Sequence, residues 1–369
     1  MIIKNIELKN FRNYEYLQLD FNKNVNLILG DNAQGKTNLV EAIYISSFGK
    51  SFRTSSDYKL IKFGEREAFI KIEAEKENFD TEVEVLIKLK GNSTTEKSVK
   101  KDKKNITKAT ELLNNIYIVI FSPEDLRLVK DEPEKRRKFI NRELCQISLS
   151  CLDNFSNYKR ALLQRNAYLK EENIKQDILD VWDVQLAKYG AVIIKLREKY
   201  INKIGKISSL IHRGITGGEE SLILNYEPNL EIQEDISEQE AEFYEALKRS
   251  FNSDYKNKTT QVGPHRDDIS FFVNGVDMRS FGSQGQQRTC ALSLKLAELS
   301  LIKEDTGENP ILILDDVMSE LDQKRQEFLI ETLRDNQLFI TTTDLDQSIL
   351  SRLNDASIFK INNGKVIFE

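Results

Sequence analysis

Val25-Asn26-Leu27-Ile28-Leu29 runs directly into Gly30-Asp31-Asn32-Ala33-Gln34-Gly35-Lys36-Thr37. The first five residues read as a buried strand. The next eight fit the phosphate-binding pattern G-x-x-x-x-G-K-[ST]. Asn38-Leu39-Val40-Glu41-Ala42-Ile43-Tyr44 follows, with Leu39, Val40 and Ile43 on one face of a helix. A strand before and a helix after turn the pattern into a site. Gly30 and Gly35 let the backbone curl so that its N–H groups point inward at phosphate oxygens. The helix opening at Lys36 adds the positive end of its dipole. Lys36 is expected to reach the β- and γ-phosphates of ATP, and Thr37 to offer its hydroxyl to Mg²⁺. The ATP-binding loop is thus Gly30, Asp31, Asn32, Ala33, Gln34, Gly35, Lys36 and Thr37. The alternative, a glycine-containing turn with no ligand, does not need this strand and helix.

Outward along the chain, Ile311-Leu312-Ile313-Leu314 is a fully apolar strand that ends in Asp315-Asp316. Paired carboxylates at such a strand end suit a triphosphate site. Asp315 is expected to hold Mg²⁺, through water, and Asp316 to orient and polarise the attacking water as the catalytic residue. Taken alone, the segment reads better as a strand ending in acidic cap residues; the phosphate loop beside it tips the reading to a nucleotide site. Phe281-Gly282-Ser283-Gln284-Gly285-Gln286-Gln287 brings a serine hydroxyl and backbone N–H groups to a helix start, a second anion site, although on its own the segment reads better as a loop and helix cap. Val317-Met318-Ser319-Glu320-Leu321-Asp322 follows the paired acids.

This order of segments resembles the ATP-binding-cassette (ABC) ATPases. The resemblance implies two ATP molecules sandwiched in a homodimer, with Ser283, Gly285 and Gln286 completing the site of the opposite subunit. Asn38 to Ala42 resembles the SMC-type branch. Asn10-Phe11-Arg12-Asn13-Tyr14, Phe121-Ser122-Pro123-Glu124-Asp125-Leu126, Arg136-Arg137 and Gly263-Pro264-His265-Arg266-Asp267-Asp268 together resemble the RecF family. That likeness spans Ile3 to Thr343. It implies ATP-driven dimerisation and weak, DNA-stimulated ATP hydrolysis. It also implies binding of single-stranded and linear duplex DNA at gap junctions, and a role in recombinational repair, replication and the SOS response. RecR is the protein partner it implies.

Several positions depart from the wider superfamily. Asp316 stands where most members carry glutamate, and its shorter reach fits slow hydrolysis. No glutamine ends the strand at Ile116 to Phe121. Thr341-Thr342-Thr343-Asp344 occupies the place of a switch histidine; a threonine hydroxyl can bond a γ-phosphate but carries no charge. Arg12 is open to two readings, a phosphate contact or an ordinary strand-end arginine. Arg266 and Asp267 are expected to pair with each other.

The chain has 369 residues, 40% hydrophobic and 31% charged, enough for about two soluble domains. The expected fold is α/β, an ABC-type P-loop ATPase head with an inserted, mainly helical subdomain. The expected boundaries are residues 1–122 with 260–369 for the discontinuous ATP-binding domain and 123–259 for the helical one. The helical spacing from Phe139 to Ile211 is read as helices too short and interrupted for a coiled-coil rod. Ser237-Glu238-Gln239-Glu240 reads as a capping box. No apolar run approaches ~20 residues and the start lacks signal-peptide character, so a cytoplasmic protein with no membrane partner is expected.

Three cysteines and two histidines give no disulfide framework and no histidine-built centre. A net charge of -5 excludes coating of nucleic acid by bulk charge and leaves room for a local basic face. Candidates for that face are Lys97, Lys100, Lys101, Lys103, Lys104, Arg136 and Arg137, with Lys108 in the same lysine-rich stretch. Rival readings are the ATPase subunit of a membrane transporter and a small-molecule P-loop kinase. The helical insertion disfavours the first, and the serine segment disfavours the second.

Overall fold

The computed structural model describes residues 1–77, 79–91, 93–107, 111–113, 115–343, 353 and 355–367. Lys108, Asp344 and Phe368 lie outside them. In chain order the elements are β1 (Ile2–Phe11), β2 (Tyr14–Asp20), β3 (Val25–Leu29), α1 (Lys36–Phe48), β4 (Glu67–Glu75), β5 (Asp80–Leu89), β6 (Thr95–Lys101), β7 (Lys104–Ile106) and β8 (Ile118–Phe121). Then come α2 (Pro133–Ile147), α3 (Leu149–Tyr168), α4 (Gln176–Ile215), β9 (Leu222–Glu227), α5 (Ile236–Asn257), β10 (Asp268–Val273), β11 (Val276–Asp277) and α6 (Gln284–Thr306). The chain closes with β12 (Ile311–Asp315), α7 (Gln323–Thr332), β13 (Leu338–Thr342), β14 (Ser357–Asn362) and β15 (Lys365–Ile367). It divides into two compact units, Met1–Asp125 with Ile302–Glu369, and Leu126–Leu301.

The first unit holds two sheets. One is antiparallel, ordered β2-β1-β4-β5-β6-β7. Its strands alternate, with Ile70, Ile72, Val83, Val85 and Ile87 buried and their neighbours facing out, as expected of a sheet packed on one face. The other is ordered β15-β14-β3-β13-β12-β8, and all its pairs except β14–β15 are parallel. Strands β8, β12 and β13 are buried end to end, which is why Ile118–Phe121 and Ile311–Leu314 read as continuous apolar runs. Helix α1 packs between the two sheets. Leu39, Val40, Ala42, Ile43, Tyr44, Ile45 and Phe48 are therefore all buried. The single apolar face expected from the sequence is a helix covered all round. β3, β12 and β13 run parallel, so their carboxyl ends share one edge, the usual place for a ligand in an α/β sheet.

The second unit is mainly helical. α4 is one helix of 40 residues, about 60 Å long at 1.5 Å per residue. This corrects the expectation of short, interrupted helices. Gly190 does not break it because the glycine is needed there. A Cβ at Gly190 would lie 2.2 Å from the Phe243 ring, so the missing side chain admits α5. Arg165 ties three helices and the following loop together. It donates to Asp183 and Asp254 at 2.6 Å each and to Thr260 Oγ1 at 2.9 Å. The cap of α5 lies two residues before the expected one: Asp235, not Ser237, accepts from Glu238 N at 2.8 Å. Asp235-x-x-Glu238 is itself a capping pattern.

The unit also takes in residues 260–301, which the sequence reading assigns to the ATP-binding domain. The reason is local. β10 pairs with β9 over Asp268 to Val273, and the preceding loop is tied into the helices. Asp267 accepts from Arg197 Nη1 at 2.8 Å and from Asn229 N at 2.9 Å, and bonds the Tyr226 hydroxyl. Arg266 instead donates to Thr260 O and Gln261 Oε1, at 3.3 Å each. The expected Arg266–Asp267 pair is thus replaced by two separate sets of partners.

Candidate functional site

Lys36, Thr37, Asp315 and Asp316 converge at the carboxyl ends of β3 and β12. The loop from Gly30 to Gly35 is held in a shape that its glycines make possible. Gly35 has φ 122° and caps α1, and a Cβ there would meet the Asn13 amide at 2.7 Å. At Gly30 a Cβ would lie 2.4 Å from the Ile361 carbonyl. The Lys36 ammonium donates to the carbonyls of Gly30 at 2.7 Å and Asp31 at 3.1 Å. Its cationic end thus stays on the loop while the side chain is almost wholly buried.

Thr37 Oγ1 donates to Asp315 Oδ1 at 2.9 Å, and Thr341 Oγ1 donates to the same oxygen at 2.8 Å. Asp315 Oδ2 makes no hydrogen bond among the described residues. Burial pushes the Asp315 carboxyl above its ordinary range, against the two hydroxyls; the Asp316 charge adds to the rise and Arg53 opposes it. Burial also raises Asp316, and Lys36 opposes that. Asp316 sits at φ 53°, a left-handed backbone that costs a non-glycine residue energy. Its N–H donates to Thr341 O at 3.1 Å and Thr341 Oγ1 at 3.0 Å.

A brace around the loop was not anticipated as chemistry. Asn13 Nδ2 donates to the Gln34 carbonyl at 2.7 Å, and Tyr14 OH to the Gly35 carbonyl at 2.9 Å. Asn363 N donates to Gln34 Oε1 at 2.7 Å and Gly364 N to Gln34 O at 3.0 Å. Asn38 Nδ2 donates to Asn13 Oδ1 at 2.8 Å. The Asn10 to Tyr14 segment carried the signal, and its chemistry is loop support. Arg12 belongs to the same brace. Its Nε and Nη2 donate to the two oxygens of buried Glu41 at 2.9 and 2.7 Å, and its Nη1 to the Lys59 carbonyl at 2.9 Å. Three of its five N–H groups are thus engaged by protein partners.

Ser283, Gly285 and Gln286 belong to the second unit, at the start of α6. Ser283 Oγ accepts from Gln286 N at 3.2 Å, and Gln286 Oε1 accepts from Ser283 N at 3.1 Å. That reciprocal pair is a capping box, with Ser283 exposed. Thr341 and Thr342 are buried inside β13, which leaves Thr343 as the exposed hydroxyl at its end.

The basic candidates separate into distinct environments. Lys97 pairs with Asp57 at 2.8 Å and Lys100 with Glu84 at 3.4 Å. Lys103 lies in the β6–β7 turn and Lys104 opens β7. Both are exposed, with no ion pair among the described residues; Lys101, at the end of β6, is half-buried. Arg136 is a correction. It is 1% exposed and donates to both oxygens of Asp268, at 2.6 and 2.9 Å, and to the carbonyls of Leu128, Val129 and Asp131. A guanidinium so placed is a structural tie of α2 to β10, and its burial keeps it from a DNA surface. Arg137 is half-buried and donates to the Asp267 carbonyl at 2.6 Å.

The sequence profile of the RecF/RecN/SMC N terminal domain matches residues 2–365. The DNA replication and repair protein RecF of Alkaliphilus oremlandii is 45% identical over 368 residues, covering 99% of this chain and 100% of its own. The chain belongs to the RecF family. A second RecF, from Agathobacter rectalis, is 46% identical over 99% of both chains. Among solved structures, the recombination mediator protein RecF-ATP in the RecFOR pathway is 37% identical. It matches with a TM-score of 0.89 over 99% of this chain and 97% of that one. An Smc head bound to the C-winged helix domain of ScpA, 16% identical with a TM-score of 0.57, shares the fold. RecF proteins are thus an ABC-like ATPase family, and the α/β unit described above is an ABC-type ATPase head. These likenesses do not favour a transporter subunit. Among the described residues, no helix is long and apolar enough to cross a membrane.

Proposed function

We propose that this chain is an ATP-gated, dimerising, DNA-binding ATPase of the cytoplasm. It would act in recombinational repair of single-strand gaps, in replication and in the SOS response, with RecR as a protein partner. The observation that carries the reading is the convergence of Lys36, Thr37, Asp315 and Asp316 on one sheet edge in a chain alike to RecF proteins from end to end. In this reading Lys36 turns from the Gly30 and Asp31 carbonyls to the β- and γ-phosphates.

The donor set suits Mg²⁺. Thr37 Oγ1 and the Asp315 carboxylate are hard oxygens 2.9 Å apart, and Asp315 Oδ2 is unengaged, as a water-mediated ligand needs. When bound, Mg²⁺ neutralises charge on the β- and γ-oxygens. Asp316 takes the proton of the attacking water as the new O–P bond forms and the bond to the bridging oxygen breaks, releasing ADP and phosphate. Its short side chain makes this step slow, which suits a switch. Ser283, Gly285 and Gln286 of a second copy close over the γ-phosphate, so hydrolysis reopens the dimer. Closure is driven by the higher affinity of the dimer for ATP. Lys101, Lys103 and Lys104 make phosphate contacts to duplex or single-stranded DNA.

Sedimentation with Mg²⁺ and ATP tests this. The wild type should shift from monomer to dimer, and Lys36→Ala should stay monomeric without nucleotide. Ser283→Arg should bind ATP yet remain monomeric. A wild type that stays single at saturating ATP, or a Ser283→Arg that dimerises normally, refutes the reading.

A further inference from the structure

We propose that Thr341 is a positioning residue for ATP hydrolysis, holding both acids of the site through one hydroxyl; this rests on the hydrolysis reading above. A hydroxyl has one hydrogen and two acceptor sites. The Asp316 N–H can only donate, and it lies 3.0 Å from Thr341 Oγ1. The single Thr341 hydrogen therefore goes to Asp315 Oδ1, 2.8 Å away. The result is a directed chain from the Asp316 backbone through Thr341 to the Asp315 carboxylate.

Three features make the chain rigid. Thr341 is fully buried, and its β-branched side chain is restricted at χ1. Parallel pairing sets it directly beside Asp315, in the register Asp315↔Thr341. Thr341 also donates to the oxygen that Thr37 addresses, which leaves Asp315 Oδ2 as the free acceptor. Asp316 is held at a backbone angle that it would not adopt unaided. Its N–H bonds to Thr341 O and Oγ1 fix where the Asp316 carboxylate starts from. Thr341 thereby sets the geometry of the proton acceptor against that of the metal ligand without touching the nucleotide.

An ordinary buried threonine, satisfied and filling space, would affect stability and nothing else. The two roles separate in the kinetics. Thr341→Val keeps the shape of the side chain and loses the hydroxyl. The expected result is a fall in kcat of about tenfold or more, the rate equivalent of one hydrogen bond to a charged group. The KM for ATP and the ATP-induced dimer should stay within about threefold of wild type, since Lys36 and the loop are untouched. Thr341→Ser should recover most of the rate. Thr341→Ala gives the same readout should valine disturb folding.

Wild-type kcat in Thr341→Val, a loss confined to KM, or a serine variant as slow as valine each overturns the inference. A wild type that binds ATP and dimerises but never hydrolyses overturns the hydrolysis reading and this inference with it. An active wild type matched by Thr341→Val overturns the inference alone.

Discussion

Arg136 separates a structural reading from a DNA-contact reading, and Arg136→Met tests it. The substitution keeps length and apolar bulk and removes the charge. In the native chain Asp268 accepts two bonds from Arg136, at 2.6 and 2.9 Å, and three backbone carbonyls accept the rest. Removing one partner of a buried pair typically costs 3–5 kcal/mol. The lower end applies here. Asp268 is 18% exposed and keeps Arg279 at 3.5 Å, so its charge is not stranded in a dry interior. An expected loss of ~3 kcal/mol, at an m-value of about 2 kcal/mol/M, lowers the urea midpoint by about 1.5 M. Trp182 is the sole tryptophan and packs on the core of the helical unit, so its fluorescence reports that unit. The double variant Arg136→Met/Asp268→Asn should be less destabilised than the sum of the single variants by about 1 kcal/mol or more. An unchanged midpoint with additive single effects and weakened DNA binding would refute the buried-tie account and return Arg136 to the DNA surface.

Two further outcomes are expected. His265 is half-buried, with Nδ1 2.7 Å from Tyr158 OH and Nε2 3.0 Å from the Thr260 carbonyl, and desolvation of the ring lowers its pKa from 6.5 to about 4. The unfolded chain therefore takes up this proton first as pH falls. The stability that neutral His265 contributes is complete above about pH 6.5 and is lost towards pH 4, by about 3 kcal/mol in all. Urea midpoints of wild type and His265→Gln across that range check it, and parallel pH slopes would contradict it. Lys103→Glu with Lys104→Glu should weaken DNA binding at every sequence and flatten the dependence on log salt by about one per lost phosphate contact. Filter binding at several salt concentrations measures this, and an unchanged slope would remove the hairpin turn from the interface.

The strand–loop–helix around Gly30 to Thr37, the paired acids and the strands beneath them were legible in the sequence as structure because each is local. A turn pattern, an apolar run and two adjacent carboxylates need no tertiary information. What was not legible depends on residues far apart in the chain. Arg12 and Glu41 are 29 positions apart, and Arg136 and Asp268 are 132 apart. An arginine at a strand end or in a polar run has the same sequence signature whether it meets water, DNA or a buried carboxylate. The length of α4 was not legible for the same reason: what a glycine at position 190 does depends on Phe243, on another helix, which occupies the space a side chain there would need.

The same contrast explains why Thr341 escaped notice among three consecutive threonines. Its neighbours Thr342 and Thr343 carry the same hydroxyl, and composition cannot rank them. Strand alternation and the register Asp315↔Thr341 do. One residue earlier or later in the strand, the hydroxyl would face the other side of the sheet. A one-residue slip of β13 against β12 would keep their apolar residues away from water, since both strands are buried end to end. It would still break the link between the two acids. Burial alone therefore does not fix the register of these two strands, and the bonds from Asp316 N and to Asp315 Oδ1 add to the side-chain packing that does.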